Sequence, residues 1–226
     1  MDSKDLTKYL PDGSTWLRAA VSSIPLVGSA LDHLLFDKAD AIRLRNIEAA
    51  LGALSAQIAR GDQERIDKDW FASEEALAAF KMMADGVSYE PDRRKIEDVG
   101  RLVAVCGDKN HSMDEKKLSV LDHLSRLSHV QIKILSAISR TAPKQKTVKG
   151  GDLNQTTTAI WMADIMATLK AEPKFWEGTL VLDQELEVLE SLNTIRRLQL
   201  MGDAETAYQI TAIGKQAASY VRTAGL

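Results

Sequence analysis

From Leu182 to Leu200 the chain is rich in leucine; it then runs through Met201-Gly202-Asp203 into Thr206-Ala-Tyr-Gln-Ile210, and Thr211 is placed to open a closing helix. Helix, tight turn, short strand and helix in that order predict a winged helix-turn-helix-like module with a short β-hairpin at this end. In such a module the helix from Asp183 is the one that would meet DNA. It carries Asp183, Glu185, Glu187 and Glu190 where a phosphate-facing surface needs lysine or arginine. Carboxylates in the first turn, with Arg196 and Arg197 read as the last turn, also suit the helix dipole. The wing adds Glu205 and Gln209 but no basic residue. Glu185, Glu187 and Glu190 are therefore candidates for contact with a protein rather than with DNA.

The remainder of the 226 residues is dominated by helix formers, with glycine and proline at boundaries, so the fold class is mainly α: an N-terminal helical bundle followed by the winged module. Ser14 can cap a first helix with Trp16 and Leu17, and Pro25 starts a second with Val27, Leu31 and Leu34, giving an apolar hairpin over 14–36. From about Lys38 to Arg60, Leu44, Ile47, Leu51, Leu54 and Ile58 recur at spacings of 3 and 4, a two-heptad seam that stops at Gly61. Such a seam serves either packing within a bundle or a homodimer interface. After an acidic connector, helices are expected from Ser73 to Gly86, from Pro91 to Gly107, and after the capping boxes Ser112-Met-Asp-Glu115 and Ser128-His-Val-Gln131. The domain boundary falls near Leu127, giving domains 1–127 and 128–226. The loop Thr141 to Gly151 leads to a helix from Leu153 to Ala171 with Ile160, Trp161, Ile165 and Leu169 inward.

The formal net charge of −3 is near balance, which argues against a polybasic nucleic-acid or membrane binder. It is unevenly spread: residues 101–150 hold 10 basic against 4 acidic side chains, and residues 61–100 hold 6 against 11. Within the basic stretch, Lys144, Lys146 and Lys149 are candidate anion contacts. The single cysteine, Cys106, excludes an internal disulfide and fits a reducing compartment; with no secretory leader evident, a cytoplasmic location is expected. Ala19–Leu31 is uncharged, but 13 residues fall short of the ~20 needed to span a bilayer. Its small residues still allow a concealed membrane-contacting hairpin, with Trp16, Leu26, Val27 and Gly28 as its candidate residues.

Chemistry-bearing patterns are sparse. Cys106, His111, His123 and His129 are metal-ligand types, but no pair has the spacing that puts two ligands on one helix face, and Cys106 reads as a small core residue. There is no Gly-x-Ser-x-Gly elbow and no Gly-x-x-x-x-Gly-Lys-Ser/Thr cradle; carboxylate pairs such as Asp67/Asp69 and Asp114/Glu115 fall on polar connectors or helix starts. The expectation is a non-catalytic protein without cofactor or metal.

Ile24-Pro-Leu-Val-Gly-Ser-Ala-Leu-Asp32, Arg94-Lys95-Ile96, the leucine-rich Leu118–Leu135 stretch and Tyr208-Gln-Ile-Thr-Ala-Ile-Gly214 together resemble bacterial abortive-infection proteins of the Abi-alpha type. The resemblance covers most of the chain in spacing and common residues, and carries over no catalytic or binding residue. It implies a bacterial protein linked to phage defence. The functional expectation is thus a non-catalytic bacterial protein-interaction or regulatory protein. A DNA-binding transcriptional regulator and a membrane-active effector using the 16–36 hairpin are the alternatives.

Overall fold

The computed structural model describes residues 38–61, 63–112, 114–150, 153–171, 182–198 and 206–226. These residues are mainly helical, with one four-stranded antiparallel sheet, and they fall into two compact units divided between His129 and Val130. The expected apolar hairpin over 14–36 lies outside the described residues.

The first unit is helical. Helix α1 (Lys38–Arg60) lies along α4 (Arg93–Cys106), which also packs on α3 (Glu74–Val87) and α6 (Lys117–Ser125). The expected seam positions Ile47, Leu54 and Ile58 are buried in this core, and Leu44 and Leu51 are half-buried. Spacings of 3 and 4 put these residues on one face of α1, and that face is turned away from solvent. The approach is backbone to backbone: a Cβ on Gly100 would fall inside the Ala50 carbonyl, so only glycine lets α4 come this close. Asn46, buried on α1, donates through Nδ2 to the Val87 and Glu90 carbonyls, each at 3.0 Å, and so satisfies acceptors at the end of α3.

Local signals place most helix starts. Ser73 Oγ accepts from the Ala76 amide, as its place before Glu74 leads one to expect. Asp92, rather than Pro91, caps α4, accepting from the Arg94 amide at 2.9 Å. The acidic connector holds a further short helix, α2 (Lys68–Phe71), capped by Asp67 and burying Trp70 and Phe71. The helix expected to start at Ser112 does not start there. Ser112 ends the short helix α5 (Lys109–Ser112), and α6 begins after Lys116, which makes no side-chain cap bond. Asp114 wins the local competition: its Oδ1 accepts from the Lys116 amide at 3.0 Å, making a turn where a helix was expected to start.

The second unit corrects the sequence reading twice. The Lys144 segment is not a loop, and no helix runs from Leu153. Residues Lys144–Gly150 (β1) and Leu153–Trp161 (β2) form a seven-pair antiparallel ribbon, and helix α8 covers only Met162–Lys170. The β-branched run Thr156-Thr157-Thr158 before Ile160 favours extended backbone, and Thr147 and Thr156 hydrogen-bond across the ribbon at 3.0 Å. Ile160 and Trp161 are buried as expected, but from a strand.

The other correction concerns the leucine-rich segment. Helix α9 (Leu182–Ser191) stops well before Arg196 and Arg197, which lie on strand β3 (Ile195–Leu198). Asn193 takes the left-handed conformation (φ 56°), its amide bonds the Glu190 carbonyl, and the Thr194 amide bonds that of Leu189. This pair of bonds is the Schellman closure that ends a helix, and asparagine is the commonest residue after glycine to supply it. Strand β3 pairs with β4 (Ala207–Ile210), and β4 pairs with the end of β2, giving the order β1-β2-β4-β3. Helix α7 (His129–Arg140) precedes the sheet, and α10 (Ala212–Thr223) follows it with Thr211 as N-cap.

Candidate interaction surfaces

Helix α9 turns Leu182, Leu186 and Leu189 inward and leaves Asp183, Gln184 and Glu187 exposed, with Val188 beside them at 38% exposure. The four carboxylates of this helix do not serve alike. Glu185 accepts from Gln131 Nε2 at 2.8 Å, which ties α9 to α7. Glu190 accepts from the Arg197 amide at 3.1 Å and faces the Arg197 guanidinium at 3.8 Å, bracing α9 against β3. Arg197 in turn lies over the Tyr208 ring, 5.8 Å from its centroid; burial pushes the Tyr208 phenol above its ordinary range. Asp183 and Glu187 make no hydrogen bond or ion pair with a described residue. Among the expected contact residues, Glu187 is the exposed one, acting on Arg197 only through its field, while Glu185 and Glu190 make the hydrogen bonds that tie α9 to α7 and β3.

The lysines are partly engaged. Lys144 bonds Asp164 at 2.5 Å and stays 58% exposed, and Lys146 lies over the Trp161 ring, 4.4 Å from its centroid. Lys149 is on β1, and its side chain is outside the described atoms, as are Trp16, Leu26, Val27 and Gly28 altogether. Arg196 and Arg197, expected in the last turn of the helix, lie on β3 and give the hairpin two basic residues; Arg196 is exposed. The signal that could have found this is Asn193-Thr194, a helix stop followed by a β-branched residue.

Two charged clusters in the first unit carry no motif. Asp98, with a side chain 2% exposed, meets His129 Nδ1 through Oδ2 at 2.5 Å and Arg101 through Oδ1 at 3.7 Å. Lys117, 3% exposed, pairs with Glu75 at 2.9 Å, and the same Glu75 oxygen accepts from Trp70 Nε1 at 2.8 Å. Both clusters neutralise charge that burial would otherwise make costly, which is a structural task. Cys106 is fully buried, and burial pushes its thiol up to about 12, so it is not a nucleophile at neutral pH. Among the described residues no three His, Cys, Asp or Glu side chains group closely enough to hold a metal ion, and no helix is long and apolar enough to cross a membrane. No protein-family model, curated protein or solved structure gives a significant match to this chain.

Proposed function

We propose that residues 130–226 form a winged helix, extended by the β1–β2 ribbon, that acts without catalysis as a protein-docking module. Support comes from the order α7, β2, α8, α9, β3, β4, α10 and the strand order β2-β4-β3, which together match helix, strand, two helices and a closing wing hairpin. The observation that carries the functional reading is the exposed face of α9. The helix that would enter a major groove offers Asp183 and Glu187 as exposed carboxylates and Val188 as an apolar contact. Such a face repels phosphates and suits a basic protein surface with an apolar centre. The resemblance to Abi-alpha proteins is the ground for setting this role in bacterial phage defence, and the free thiol of Cys106 suits a reducing cytoplasm.

Affinity capture from the host with the wild-type chain and with Asp183→Lys/Glu187→Lys tests this, with nuclease added to both. A stoichiometric protein partner retained by the wild type and lost by the variant, at unchanged melting temperature, is the expected result. Equal retention by both chains overturns it. A specific observation favours DNA as the second reading: Arg196 on β3 and Lys144 and Lys146 on the ribbon supply cations outside α9. In that reading duplex affinity falls steeply with salt and is lost in Lys144→Glu/Lys146→Glu/Arg196→Glu.

A further inference from the structure

The first unit carries a surface feature the docking reading of α9 does not use: a groove of about 470 Å³ between α1 and α4. On the α1 side its floor is Ala49, Gly52, Ala53 and Ala56, all half-buried, and its ends are the exposed Arg45 and Arg60. Fifteen residues of helix separate these arginines, about 22 Å at 1.5 Å per residue. From α4 come Arg93, Glu97 and Arg101, with Glu97 shared between Arg93 at 3.2 Å and Arg101 at 3.6 Å. Arg45 and Arg60 have no hydrogen-bond or ion-pair partner among the described residues.

We propose that this groove is the docking site for an acidic helical segment of a partner protein, whose carboxylates pair with Arg45 and Arg60 while its small-residue face lies on Ala49, Gly52, Ala53 and Ala56. Charge and shape together select this occupant. The lining holds four arginines against two glutamates, and the uncommitted guanidiniums stand at the two ends, so the occupant is anionic and about four helical turns long. A floor of alanine and glycine lets a second helix backbone come close, as large side chains would not; nothing lies within 4 Å of where a Cβ would stand on Gly52. A nucleic-acid strand fits less well, because Glu48 and Glu97 would face its phosphates inside the groove. A second copy of the chain also fits less well. Pairing α1 antiparallel about Gly52 and Ala53 would set Arg45 against the partner's Arg60, and parallel pairing would set each arginine against itself.

The test is fluorescence anisotropy with the full chain and a labelled alanine-rich helical peptide of about 18 residues carrying glutamates near both ends, with a lysine-for-glutamate peptide as control. The glutamate peptide binds, and roughly tenfold or more of its affinity is lost in Arg45→Glu/Arg60→Glu. Gly52→Trp, which fills open space and leaves the fold intact, also removes binding, whereas Asp183→Lys/Glu187→Lys leaves it unchanged. The last result separates this site from the α9 surface. Equal binding of both peptides, binding of neither, indifference to Gly52→Trp, or a single-stranded oligonucleotide that binds with the same arginine dependence would each overturn the proposal.

Discussion

Among the described residues, each unit has a glycine at which a helix meets another backbone without an intervening side chain, and the two places differ in kind. In the first unit Gly100 lays one long helix along another, against the Ala50 carbonyl. In the second, Gly214 seats α10 on a turn: a Cβ there would fall inside the Thr194 carbonyl. Thr211 locks this contact, donating to the Asn193 and Thr194 carbonyls at 2.6 and 3.0 Å and accepting from the Gly214 amide at 3.1 Å. The units also differ in what they bury. Among the described residues, the first encloses Asp98, His111 and Lys117, whereas the second encloses Gln131, Ser136, Thr141, Thr194 and the Tyr208 and Tyr220 phenols, none of them charged at neutral pH. The first unit thus depends on paired charges, and the second on hydrogen bonds around a turn.

The largest expected effect comes from breaking the shared feature. Gly100→Ala and Gly214→Ala each force a methyl into a backbone carbonyl, and each should cost about 3 kcal/mol or more. Thermal unfolding by circular dichroism measures this; a shift below about 1 kcal/mol in either variant would mean the helices separate easily and the close approach is incidental.

Next in size is the buried charge. Asp98→Ala leaves the His129 imidazole without its carboxylate and Arg101 with Glu97 alone, and should cost about 3 kcal/mol, near the low end for breaking a buried pair because both partners reach solvent. Chemical denaturation reads it. Ser136→Ala in the second unit, which loses one hydroxyl hydrogen bond to the Leu226 backbone oxygen, should cost only about 1 kcal/mol. Equal costs would remove the distinction between the units.

The smallest effect is the pH response. All four histidines lie in residues 1–129. Burial holds the His111 and His123 imidazoles below their ordinary value of 6.5. The unfolded chain then takes up protons first as pH falls through that value, so stability present above it is lost on acidification. At the alkaline end Cys106 acts in the opposite sense: its contribution is complete below the ordinary thiol value of 9.0 and is lost as pH rises toward about 12. Amide exchange from pH 7.5 to 5.5 should therefore loosen the first unit before the second. A uniform response, or one unaltered by His111→Gln/His123→Gln, contradicts this.

How far the sequence could be read follows the same division. In the first unit the information is local: the spacing from Leu44 to Ile58 and the caps at Ser73 and near Pro91 lie within a few turns of the structure they specify. In the second unit, Ile160 and Trp161 pair with Tyr208 and Ala207, almost fifty residues away, and no local periodicity reports such a partner. Leucines at Leu182, Leu186 and Leu189 continue the helical period toward Leu192, so the end of α9 rests on one asparagine in a left-handed turn. The charged α9 face was legible, because exposure follows from the period. Its division into bracing and uncommitted carboxylates was not, because Gln131 and Arg197 reach Glu185 and Glu190 only through the tertiary fold. The arginines bordering the α1 groove share a face at helical spacing, yet without α4 there is no groove to see.

The measurement that tests the central claim most directly is a titration of wild type and Asp183→Lys/Glu187→Lys against both the captured protein partner and a duplex DNA at physiological salt. The docking account predicts that the wild type binds the protein and not the duplex, and that charge reversal removes protein binding while opening weak, salt-sensitive DNA binding. Retention of the protein by the reversed chain, or tight duplex binding by the wild type, would contradict it.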